Sequence, residues 1–150
     1  MNTIFITWLV AGSLDCAAAI MLFVLGTKQN PSLLLRAITS AALGPKAFSK
    51  GSGMVYLGVG LHYCIALFWT VLYFVVFPKF FPCTAVLTNA IVYGLFVWTI
   101  MNLVVLPLSK AEPRPFSPLM ALVNIGILII AIGLPCAFAA KNYPLPHFGF

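Results

Sequence analysis

The chain has 150 residues, of which 63% are hydrophobic and 7% charged, with a formal net charge of +6. Its mean hydropathy is +1.11. A soluble domain carries about 25% charged residues, so this composition excludes a water-soluble globular fold and makes lipid the solvent for most of the chain.

The first apolar run, Thr3 to Leu25, is long enough to cross a bilayer as a helix, which takes about 20 residues. It is too long for the core of a secretory signal, and no Lys or Arg precedes Lys28. We therefore read it as a retained span. One residue in it is out of place: Asp15, one of only two acidic residues in the chain.

The connection from Gly26 to Gly53 contains a shorter helical pattern, about residues 31 to 44. Asn30 suits its N-cap and Pro31 its first turn. Leu33, Leu34, Ala37, Ile38, Ala41 and Ala42 recur at helical spacing, and Gly44-Pro45 ends the pattern. The segment is too short to span. It reads as an interfacial helix, with a re-entrant piece as the alternative. Arg36, Lys46 and Lys50 are placed to reach lipid phosphates.

Three more runs follow: Met54 to Phe77, Thr84 to Pro107 and Pro118 to Ala140. They are too long, and lack the alternation, for barrel strands of about 10 residues. A helix satisfies its own backbone where no water can. Pro78 to Cys83 is short and makes the second and third spans antiparallel neighbours. Leu108 to Ser117 is stiffened by its prolines. The aromatic, proline-rich tail after Lys141 suits the membrane interface. The expected fold is thus a single all-α membrane domain of four transmembrane helices, with an interfacial or re-entrant helix between the first and second.

Lys28, Arg36, Lys46, Lys50, Lys110 and Arg114 fall on one side, against Lys79 and Lys141 on the other. This makes loops 26–53 and 108–117 cytoplasmic and puts both termini outside. The positive charge reads as a topology and lipid signal. A nucleic-acid partner would need a soluble basic face with stacking groups.

Polar residues inside the spans carry the chemistry. At 1.5 Å per residue, Asp15 lies about 16 Å and His62 about 13 Å from the cytoplasmic ends of their helices. Asn102 and Asn124 fall in the same half. A layer of Asp15, His62, Asn102 and Asn124 is therefore expected, with Asp15 either paired to His62 or carrying its own proton. A charge at mid-bilayer costs at least ~2.5–3.5 kcal/mol, so Asp15 should face the bundle interior. The layer reads either as hydrogen-bonding glue between helices or as a proton-linked or solute site.

His62 is also a possible haem or pigment ligand, but a bis-His site lacks a second intramembrane His, because His147 is in the tail. We expect no cofactor and no metal. Cys16, Cys64, Cys83 and Cys136 show no ligand spacing and read as packing residues. Small residues mark contact faces: Ala11 and Gly12, Gly58 and Gly60, Ala90 and Gly94, Gly133 and Ala137. No zinc-protease, phosphate-loop or nucleophile pattern occurs.

Several stretches carry a resemblance: AGSLD at Ala11 to Asp15, RAITSAALGPKAFSKG at Arg36 to Gly51, LGVGLHYCIALFWTVLY from Leu57, and VYGLFVWTIMNLVVLPLS from Val92 to Ser109. Together they resemble a family of small four-helix bacterial inner-membrane proteins and, more loosely, the YagU-type proteins. The resemblance implies an integral inner-membrane protein and singles out Asp15, His62, Asn102 and Ser109. It brings no reaction with it. The expected function is that of a non-enzymatic accessory subunit, working as a homo-oligomer or in a larger membrane complex. A proton or solute pathway through Asp15 and His62 is the alternative.

Overall fold

The computed structural model describes residues 2–49, 51–77, 85–110 and 117–142. Lys50, Lys79, Arg114, the Pro78–Cys83 connection and the tail from Tyr143 lie outside the described residues. The fold is helical, with no strand among the described residues. Four helices are long and apolar enough to cross a membrane: α1 (Asn2–Thr27), α4 (Gly53–Val75), α5 (Val86–Leu108) and α6 (Pro118–Asn142). Two shorter helices, α2 (Pro31–Leu43) and α3 (Lys46–Ser49), fill the connection between α1 and α4.

The local signals act where they stand. The Asn30 side chain accepts from Ser32 N–H at 2.9 Å and caps α2, with Pro31 in the first turn. Gly44 closes α2 at φ 75°, a conformation glycine adopts without strain. Lys28 takes the same left-handed region at φ 55° and donates its N–H to Val24 O, ending α1. Lys110 N–H donates to Ala41 O at 2.9 Å, so the end of α5 and the end of α2 meet at one end of the bundle.

In lipid, apolar side chains gain little by leaving the solvent, so helices associate where small residues let backbones come close. α5 and α6 do this in antiparallel register. A Cβ on Gly133 would lie 2.4 Å from Ala90 O, and one on Gly94 would lie 2.8 Å from Ile129 Cα. α1 meets α4 in the same way, where Gly12 faces the Tyr63 ring and Ala66. α2 meets α4 through Gly58, whose added Cβ would fall 2.1 Å from Leu35 O. Thr39 Oγ1 donates to Met54 O at 2.7 Å alongside.

Aromatic rings fill the space between α4 and α5. Tyr73 and Phe77 pack on Tyr93 with centroids 4.8 and 5.0 Å apart, both edge-on, and Trp69 meets Phe96 at 6.0 Å. The Tyr93 hydroxyl donates to Trp69 O, so its one polar atom is satisfied inside the core. Ala90, Val97, Ile132, Cys136 and Ala137 complete the cluster.

α5 and α6 are not straight α-helices. Each contains a π-helical turn, Met101–Val105 and Ile129–Gly133. In both, the wide turn opens six residues before a proline, Pro107 and Pro135. A proline removes an N–H and crowds the carbonyl one turn back, and an i→i+5 turn relieves that crowding. Leu106 N–H bonds to Met101 O and Leu134 N–H to Ile129 O accordingly.

In α1, α5 and α6 the buried residues are confined to one half of the bundle, while α2 packs on α4 at the other end. From Ser13 to Thr27, from Trp98 to Leu108 and from Pro118 to Ile130 no residue is buried. The buried residues of α1, α5 and α6 all lie toward the opposite end, where Thr7, Ala11, Tyr93 and Cys136 sit. The open half is the end that carries α2, α3 and Lys110.

The glycine contacts are testable by melting in detergent. Gly58→Ala should destabilise by about 1–3 kcal/mol, as overpacking does. Gly60→Ala, with nothing within 4 Å of the new Cβ, should be neutral or stabilise by up to ~1 kcal/mol through helix propensity.

Candidate functional site at the α1–α4 seam

Asp15 lies 13 residues after the start of α1, about 20 Å along a helix of about 39 Å, and so at its middle. The same face of α1 presents the Gly12 carbonyl. Opposite, α4 presents His62 and Tyr63, brought close because Gly12 has no side chain to hold the helices apart. His62 Nε2 lies 3.0 Å from Gly12 O. A carbonyl only accepts, so this nitrogen carries a hydrogen and donates it. The nearer Asp15 oxygen, Oδ2, is 3.8 Å from the same Nε2. That exceeds hydrogen-bond length and leaves a purely electrostatic coupling. The side chains are 11% exposed at His62 and 19% at Asp15, so the pair is enclosed and still reachable.

Tyr63 extends the polar seam. Its carbonyl accepts from Trp8 Nε1 at 2.8 Å, and its hydroxyl pairs with Ser13 Oγ at 2.9 Å. The His62 and Tyr63 rings meet edge-on at 5.7 Å. Trp8, Ser13 and Tyr63 were not singled out by the sequence reading. The signal for Ser13 and Tyr63 is a hydroxyl beside each of the two titratable residues, Asp15 and His62; Trp8 carries none.

Of the four residues expected in one polar layer, the structure brings together Asp15 and His62. Asn102 turns its amide back along its own helix, with Nδ2 donating to Trp98 O at 2.9 Å. Asn124 is exposed in the open half of α6. The antiparallel register set by Gly94–Ile129 and Ala90–Gly133 places Asn124 level with Thr99 and Asn102 near Ala121. Trp98, one turn from Gly94 at the boundary between packed and open halves, buries an Nε1–H that finds no acceptor among the described residues.

The three basic residues expected on lipid phosphates part company. Arg36 is held inside the connection: Nη1 donates to Ala47 O at 3.0 Å and Nη2 to Gly51 O at 3.3 Å. A guanidinium offers donors in a fixed fork that suits such a cradle of carbonyls, so Arg36 braces the α2–α4 connection. Lys46 is exposed, and Lys50 lies outside the described residues.

No group of three or more His, Cys, Asp or Glu side chains fit to hold a metal occurs among the described residues. Cys16, Cys64 and Cys136 are free thiols. His147 lies outside the described residues. An open cleft of about 500 Å³ lies between Thr3, Thr7 and Val10 of α1 and Pro135 and Phe138 of α6. It is apolar and is not lined by Asp15 or His62.

The seam separates two substitutions at one position. His62→Gln keeps a donor for Gly12 O and should melt within ~1 kcal/mol of the parent. His62→Leu leaves the Gly12 carbonyl without this donor and should lose about 1–3 kcal/mol. Chemical denaturation in detergent measures both. Comparison of the chain with protein-family models, with curated proteins and with solved structures returns no match.

Proposed function

We propose that the chain is a small non-enzymatic subunit of a bacterial inner membrane, working as a homo-oligomer or within a larger membrane complex. The half-packed bundle carries this reading. Residues 103 to 108 are exposed without a break, over more than a full turn of helix, and so are 117 to 120 of the facing helix. Lipid covers leucine well but offers no hydrogen bond to the Asn124 amide, which stands about 9 Å inside α6 from Pro118. A further helix, from a second copy or from a host, supplies both apolar contact and an amide partner. In this reading loops 26–53 and 108–117 are cytoplasmic and the termini are outside. α2 lies at the cytoplasmic interface with one face on the first turns of α4.

A second reading rests on the Asp15–His62 separation alone. An enclosed carboxylate 3.8 Å from an imidazole at mid-membrane is the kind of pair that takes up and releases a proton on a transport path.

Gentle-detergent extraction followed by size-exclusion chromatography and native mass spectrometry tests the first reading. The expected peak has a mass of two or more copies, or of this chain with other subunits. A monodisperse monomer of 16.2 kDa plus detergent contradicts it. Proton flux into liposomes, present in the parent and abolished in a normally assembled Asp15→Asn variant, would establish the second.

A further inference from the structure

The chain turns back on itself at one corner of the open end. α2 stops at Gly44, whose left-handed backbone lets the chain turn into α3 at Lys46. The end of α5 is strapped to the same place, with Lys110 N–H on Ala41 O at 2.9 Å. Lys110 Cβ lies 3.9 Å from where a Gly44 Cβ would stand, and Lys46 is two residues further on. Two lysines from distant parts of the sequence are thus anchored at one corner by backbone contacts. Both are exposed.

We infer that Lys46 and Lys110 form a two-pronged site for the phosphate of an anionic phospholipid headgroup. Depth supports this. α5 has 23 residues, about 35 Å of helix against a hydrocarbon core of about 30 Å, so Lys110, two residues beyond its end, stands in the headgroup layer. Charge supports it too. Two exposed like charges at one corner attract a phosphodiester, and each lysine gains the attraction of an anionic leaflet. The Arg36 guanidinium, directed at the Ala47 and Gly51 carbonyls, is a brace for this corner and not one of its prongs. The chain's two acidic residues are Asp15, at mid-membrane, and Glu112, outside the described residues. The site does not depend on whether the chain is a subunit or a proton path.

The test uses the full chain in detergent, titrated with phosphatidylglycerol, with phosphatidylcholine and with inorganic phosphate alone. Native mass spectrometry counts bound lipid, and thermal melting reports stabilisation. The expected result is preferential retention of phosphatidylglycerol. Its affinity should fall roughly thirtyfold in the Lys46→Gln/Lys110→Gln double variant, as losing the attraction of two lysines to an anionic surface implies. Lys46→Arg/Lys110→Arg should keep it, as should Lys141→Gln at the other end of the bundle. Equal binding of the two lipids would overturn the site. So would a double Gln variant that binds like the parent, or a Lys141→Gln loss as large as the double variant's. Inorganic phosphate stabilising as strongly as the lipid would reassign the corner to a soluble anion and overturn the lipid claim.

Discussion

The structure depends on close approach of helices at four glycines. With lipid as solvent, burial of leucine and valine gives helices little reason to prefer one another over acyl chains. Specific association then needs contact that lipid cannot imitate. Gly133 on the Ala90 carbonyl, Gly94 on Ile129, Gly12 on Tyr63 and Gly58 on Leu35 are those contacts. At Gly133, Gly94 and Gly58 a backbone comes within a distance that a methyl group would forbid, and at Gly12 the Tyr63 ring and Ala66 leave a methyl only a tight fit. The aromatic wedge of Tyr73, Phe77 and Tyr93 then sets the spacing of α4 and α5.

Three of the four glycine contacts are pairings between spanning helices, and they lie on the packed side of, or at, the level of Asp15 and His62. Beyond that level no described residue of α1, α5 or α6 is buried. The two π-turns fall on different sides of it: Met101–Val105 buries no residue, whereas Ile129–Gly133 buries Ala131, Ile132 and Gly133 against α5. The enclosed polar pair therefore stands at the border of the packed half, with the open half between it and the basic loops. That placement gives the subunit reading its unpartnered surface and the proton reading its access. The same open end gathers the lysines of the α2–α5 corner, so the membrane surface and the bundle interior are linked through one region of the chain.

Much of the fold was legible because a spanning helix leaves a coarse signature: about 20 apolar residues in a row. The small-residue pairs in α5 and α6 were legible for the same kind of reason, since helical spacing alone puts Ala90 with Gly94 and Gly133 with Ala137. Depth was readable by counting from the loops, which put Asp15 and His62 at one level. Rotation about the helix axes was not readable. Counting puts Asn102 and Asn124 in the same half as that pair, yet one bonds along its own helix and the other is exposed. Arg36 looked like a lipid contact because loop carbonyls leave no mark in a sequence. Its fork is directed at those of Ala47, Phe48 and Gly51. The π-turns were signalled by Pro107 and Pro135, but a hydropathy pattern cannot show the extra residue in the turn.

α5 and α6 bury side chains against each other at one end and expose them at the other, which should leave the first end rigid and the second loose. Paired spin labels on exposed positions of α5 and α6 measure this directly, in the purified chain. Labels at Leu87 and Phe138 report the packed end, and labels at Val105 and Leu119 report the open end. A narrow distance distribution for the first pair and a broad one for the second is the predicted result. Equally narrow distributions at both ends would contradict the account.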